Sequence, residues 1–265
     1  MTPLSWSLDH IGPLVKSVED AAVMLRAIAG RDPRDPTTSD RPVPDYTAAL
    51  TGEIKGVRVG VPWAYIADTT DSEVHTAFAQ ALQDLERLGA TVEEITVPYL
   101  QYAPAALLAI VLPEAAAYHE KNLASRAQDY GADVRTLLQL GKLLPAHRYV
   151  TAQRLRGLLM QDLARCFERV EVVCTPTAAV PAFPIGAREV MIRGKAVDSL
   201  GALTRFTGPF NLAGLPALSL PGGFSADGLP IGLQIVGRPF GEPTVLRVGY
   251  AYEQHTPWHG RQPKL

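Results

Sequence analysis

The chain has 265 residues, 47% of them hydrophobic and 20% charged, with a formal charge of −2, enough length for one large domain or two small ones with a sizeable core. The near-neutral balance leaves no electrostatic footprint for nucleic acid or anionic membrane, no apolar run approaches the roughly 18 residues that span a bilayer, and the N-terminus lacks the basic region and apolar stretch of a signal peptide. Two cysteines, Cys166 and Cys174, make neither a disulfide framework nor a CxxC metal site, so the expected setting is cytoplasmic, without metal or cofactor.

The opening stretch "SWSLDHIG", Ser5 to Gly12, mixes apolar and turn residues directly after Met1 and reads like the middle of a fold. A helix is predicted from Val18 to Ala29. Ser17 caps it, Glu19 and Asp20 sit in its electropositive first turn, and Gly30 closes it. Val18, Ala22, Leu25 and Ile28 or Ala29 make its apolar stripe. The segment "RDPRDPTTSDRPVP" then disfavours both regular elements. "KGVRVGVPW" reads as a short buried strand, and "DSEVHTAFAQALQDLERLGA" as a helix with Val74, Phe78, Leu82, Leu85 and Leu88 inside. "TVEEITV" alternates like a strand, so the three predict a parallel pair with a right-handed crossover. From Tyr102 to Glu168 the pattern is almost wholly helical, broken at "DYGA" and "LPAH". "VEVVCTPT" returns to a buried strand that stops at Pro176. "PALSLPGGF" and "LPIGLQIVG" flank the Asp-Gly turn "SADG", a hairpin signal, and a last helix covers Glu242 to His255. The class is α/β.

Reaction templates are mostly absent. There is no GxSxG, GxGxxG or GxxxxGK[ST], and His119-Glu120 has Leu123 where HExxH needs its second histidine. Cys174 ends a buried strand, where open α/β sheets place functional groups, but its apolar neighbours suit a core thiol. Ser219 reads as a strand serine. Lys16-Ser17 imitates a Ser–Lys pair, yet helix capping explains Ser17 better. No constellation completes a reaction centre.

The stretches "SLDHIGPLVKSVEDAAVMLRAIAGRDPRDPTT", "VEVVCTPTAAVPAFPIG", "FTGPFNLAGLPALSLPGGF" and "DGLPIGLQIVGRPFGEPTVLRVGYAYEQHTPWH" resemble, in order and over nearly the whole chain, the amidase signature family. The resemblance implies a mixed β-sheet flanked by helices and hydrolysis of carboxylic amide C–N bonds without metal or cofactor. It implies a serine nucleophile, a bridging serine and a lysine base, with backbone N–H groups holding the oxyanion. In the family those groups lie before the "SLDH" segment. The expectation is therefore that residues 1–265 are the C-terminal portion of one amidase signature domain, with a mainly helical insertion at about 102–168. Such a chain carries no catalytic residue of its own and is inactive alone. It would meet a small-molecule amide only with an N-terminal portion, and its exposed sheet edge would favour that half or a second copy as partner. The alternative is a non-catalytic remnant with a binding or assembly role.

Within the resemblance, "PEAAAYHEKN" and "AQDYGADVRTLLQLG" look like the general amidases. The tRNA-dependent amidotransferases of the family tend to place an acidic residue seven before the asparagine of "NLAG". Here that position is Thr204, whose neutral hydroxyl disfavours free glutamine and suits a less polar amide. Phe206, Thr207 and Thr175 are the candidate substrate-binding residues. Thr175-Pro176-Thr177 also has a structural role as a strand end, Asn211 and Gly214 fix a turn, and Asp9 binds backbone amides near Gly12 beside His10. Glu114, Tyr118 and His119 either shape a cavity mouth or form plain helix surface.

Overall fold

A computed structural model describes residues 2–262. Helix α1, Val18–Ile28, begins where Ser17 Oγ accepts the Asp20 N–H at 3.1 Å. Its buried side is Val18, Ala21 and Ala22, extended by Leu25 and Ala29; Ile28 faces out. Strand β1, Arg58–Val61, leads into a single turn α2, Trp63–Ile66. Helix α3, Ser72–Arg87, is capped by the Asp71 carboxylate on the Glu73 N–H, and strand β2 is Thr91–Glu94. Helices α4 (Ala103–Tyr118), α5 (Glu120–Ser125), α6 (Ala132–Leu143) and α7 (Ala146–Cys166) follow. Then come β3 (Val172–Pro176), β4 (Glu189–Ile192) and β5 (Lys195–Asp198). Helices α8 (Ser199–Thr204) and α9 (Gly208–Ala213) precede β6 (Ala217–Phe224), β7 (Pro230–Gly237) and α10 (Glu242–His255).

The chain forms two compact units. The helical unit comprises residues up to Ile11, Val97–Arg165 and Thr207–Gly214; the sheet unit comprises Gly12–Thr96, Cys166–Phe206 and the chain from Leu215.

In the sheet unit the strand order is β2-β1-β3-β7-β6. β1 is parallel to β2 and β3, whereas β7 is antiparallel to β3 and β6. The expected mixed sheet flanked by helices is thus observed. Helix α10 lies over the face that carries Leu218, because Gly249 brings its backbone against that side chain. Cys174 and Ile235 stand in register with Leu218 and share that face. Val18 N–H donates to Glu253 Oε1 at 3.0 Å, tying the start of α1 to α10. Strands β4 and β5 form a separate hairpin that no sequence expectation covers. Its two-residue turn, Arg193-Gly194, has positive φ at both positions, the geometry that matches strand twist.

In the helical unit α4 meets its neighbours α6 and α9 through close approaches at glycines. A β-carbon at Gly141 of α6 would overlap the Leu112 carbonyl, and one at Gly208 of α9 would lie 2.8 Å from the Leu107 side chain. Residues Pro98–Tyr118 are long and apolar enough to cross a membrane by length and composition, which corrects the expectation that no stretch approaches that length. Ala103, Ala106, Ile110, Ala115 and Ala116 of this helix are buried whereas Leu108 and Tyr118 are exposed, and its Glu114 carboxylate is fully engaged inside the unit.

Candidate functional site

The sheet unit carries a polar row on the face opposite Cys174. Ser219 of β6, Gln234 of β7 and Thr175 of β3 are register partners, so their side chains stand side by side. Gln234 is the hub. Its Nε2 donates to Thr175 Oγ1 and to the Phe206 carbonyl, both at 2.9 Å, and it is only 3% exposed. Thr177 lies one row further along and reaches back diagonally, so that its Oγ1 is 2.7 Å from Ser219 Oγ. They meet across Gly232, where a β-carbon would collide with Thr177 at 2.6 Å; the hydroxyl pair requires glycine there. The Thr177 N–H donates to Gly232 O at 2.9 Å and holds the strand end beyond Pro176.

Behind the row, Phe206 is fully buried and meets Tyr65 edge-on at 5.6 Å. Tyr65 donates its hydroxyl to Arg205 O at 2.9 Å, and the Arg205 guanidinium lies 4.5 Å above its ring. Burial pushes the Tyr65 phenol up to about 12, against the pull of Arg205. Arg205 Nε has no hydrogen-bond partner among the described residues.

The structure therefore joins two of the three candidate binding residues, Thr175 and Phe206, through one carboxamide. Thr207 is assigned to the helical unit and is the N-cap position of α9, without a side-chain cap bond. Cys174 is wholly buried, and burial alone pushes its thiol up to about 12, so it holds its proton at neutral pH and makes a poor nucleophile. Ser17 is a helix cap, and Thr204 Oγ1 donates back to Leu200 O at 2.9 Å.

In the helical unit, the "SWSLDH" segment is clamped. Glu114 accepts from Ser5 Oγ (2.6 Å), Ser7 N (3.0 Å), Ser7 Oγ (2.8 Å) and Tyr149 Oη (2.9 Å). Partial burial works to raise its pKa, but those four bonds together hold it below the usual carboxylate range. Arg156 donates to Ser7 O and Leu212 O. Asn211 Nδ2 donates to Leu8 O at 2.8 Å and Asp9 accepts from Leu4 and Ser5 N–H. His119 Nε2 donates to Pro3 O, leaving Nδ1 to accept from Tyr130. Glu114 and His119 are thus anchors, while Tyr118 is exposed. Gly214 closes α9 in the left-handed region at φ +67°, a conformation that favours glycine. Among the described residues no group of three His, Cys, Asp or Glu side chains is placed to hold a metal.

A family model described as Amidase matches residues 1–246. The chain belongs to the amidase family. It is similar to an amidase of Pseudomonas putida, 44% identical over 266 residues, covering 100% of this chain and 57% of that one. It is also similar to a glutamyl-tRNA(Gln) amidotransferase chain of Geotalea daltonii, 38% identical, covering 98% and 57%. Among solved structures, one described as an unexpected vestigial protein complex revealing the evolutionary origins of an s-triazine catabolic enzyme superposes with a TM-score of 0.89. It is 29% identical and covers 95% of this chain and 55% of that one. This amidase-family chain therefore spans little more than half the length of the relatives it matches.

The signal for Gln234 is present in the sequence as a lone amide inside the apolar run "LPIGLQIVG". Tyr65 and Arg205 carry no local signal, because only the fold brings them to Phe206.

Proposed function

We propose that this chain provides the sheet and the polar row of an amidase that hydrolyses carboxylic amide C–N bonds, working with the portion of the domain that its relatives have and this match does not include. The observation that carries the reading is the amidase match over residues 1–246 together with 57% coverage of the relatives. In this reading the Thr177–Ser219 hydroxyl pair offers donors and acceptors to an amide, and Gln234 keeps Thr175 and Phe206 in place behind it. Thr204 favours a less polar amide than glutamine. The nucleophile, its base and the oxyanion donors come from the complementary portion.

The test is ammonia release from a panel of aliphatic and aromatic amides. The chain alone is expected to release none. Co-expression with the unmatched portion of the Pseudomonas putida amidase is expected to restore turnover; hydrolysis by the chain alone overturns the reading. A non-catalytic assembly role is the second reading, favoured by the vestigial complex named for the structural neighbour. A stable complex without turnover would select it.

A further inference from the structure

In the sheet unit, the loop that follows α1 and the turn between β7 and α10 enclose a cleft of about 460 Å³, within the roughly 300–1,000 Å³ range of small-molecule sites. Its walls carry two opposite charges that do not pair. The Arg41 guanidinium makes no ion pair or hydrogen bond among the described residues and rests 4.0 Å above the Phe240 ring. Phe240 presents that ring from the left-handed region, φ +60°, which bulky residues avoid. The Glu242 carboxylate has no cationic partner among the described residues either, and the Glu242 N–H, at the start of α10 where no side chain caps the helix, has no acceptor there. Tyr46 completes the wall. It is only 5% exposed and packs in a buried cluster with α1 and Leu246, yet its hydroxyl finds no hydrogen-bond partner among the described residues. A buried phenol usually finds one; this one opens onto the cleft. Burial, with the Glu242 carboxylate nearby, raises its pKa, so it is a donor at neutral pH. Val43 and Pro44 make the apolar part of the lining.

We propose that this cleft binds a free α-amino acid with an apolar side chain. Its carboxylate accepts from the Arg41 guanidinium and the Tyr46 hydroxyl, its ammonium donates to the Glu242 carboxylate, and its side chain lies against Val43 and Pro44. The class of ligand follows from the two walls. A simple anion is drawn by Arg41 but repelled by Glu242, and a simple cation meets the reverse, so a zwitterion is the charge pattern that satisfies both. Stacking on Phe240 keeps Arg41 from Glu242 and leaves both charges for charge-assisted bonds to a ligand. The unpartnered Tyr46 hydroxyl marks the place where such a bond is missing. The inference goes beyond the amide-hydrolysis reading, and none of its residues belongs to the polar row.

The test is calorimetric titration of the full chain at about pH 7 with leucine, isoamylamine, which lacks the carboxylate, and 4-methylpentanoate, which lacks the ammonium. Leucine is expected to bind saturably with a Kd of ~1 mM or tighter, and each single-charge analogue at least ~10-fold more weakly. Arg41→Gln and Glu242→Gln are each expected to weaken leucine at least ~10-fold, and Tyr46→Phe about 3-fold to 10-fold. Arg41 is exposed and Glu242 half-exposed, so their variants are expected to melt like the parent, and the analogues test the same contacts on the unaltered chain. No saturable binding of leucine overturns the assignment. So does binding of either analogue as tight as that of leucine, or leucine binding that survives Arg41→Gln and Glu242→Gln unchanged.

Discussion

Gln234 shows how much one buried amide holds. Its two donated bonds satisfy a threonine hydroxyl and a carbonyl that would otherwise be orphaned. Gln234→Leu is expected to cost about 2 kcal/mol, read as a lower urea midpoint. Glu114 makes a pH-dependent case. Its folded pKa lies below its ordinary value of 4.5, so its stabilisation is complete above that value and is lost as pH falls through the lowered folded value. Glu114→Gln is expected to be clearly less stable than the parent at about pH 7, and the gap should narrow as pH falls below the ordinary carboxylate value of 4.5. Glu253 has the opposite sign, because burial raises it and its contribution declines as pH rises; it is common to both proteins and cancels in the comparison. Cys174→Ala is expected to leave amide hydrolysis by the reconstituted complex unchanged, since a thiol held near 12 takes no part. The candidate site is half legible at this scale. Thr175 and Phe206 follow from their strand and motif, but the sequence leaves Glu114 and His119 between surface and cavity, because their partners lie more than a hundred residues away, at Ser5 and Pro3.

Elements follow the sequence where local chemistry and burial agree. The last helix matches its expected span because Glu242 and His255 sit at the favourable ends of its dipole, and the β6–β7 hairpin follows from its Asp-Gly turn. The β4–β5 hairpin escapes because four-residue, largely exposed strands show no alternation, and arginine is an uncommon residue at positive φ. Glycines in helices test the packing directly. Gly141→Ala gains roughly 1 kcal/mol of helix propensity, yet its methyl would occupy the Leu112 carbonyl, so α4 and α6 must part. A net loss of about 2 kcal/mol is expected. Gly157→Ala in α7, with nothing within 4 Å, is expected instead to gain about 0.5–1 kcal/mol. Paired thermal melts of the two variants read both signs.

Across the whole molecule, the chain matches relatives of nearly twice its length, and in the function proposed above catalysis belongs to an assembly. The weaving of each unit from three separated segments has a consequence for synthesis. The "SWSLDH" segment waits for Asn211, 203 residues later, and the first turn of α1 waits for Glu253, 235 residues later. Contacts so distant along the chain slow folding, since long loops must close before they are rewarded. Nascent chains would therefore keep both units open until those late partners are made.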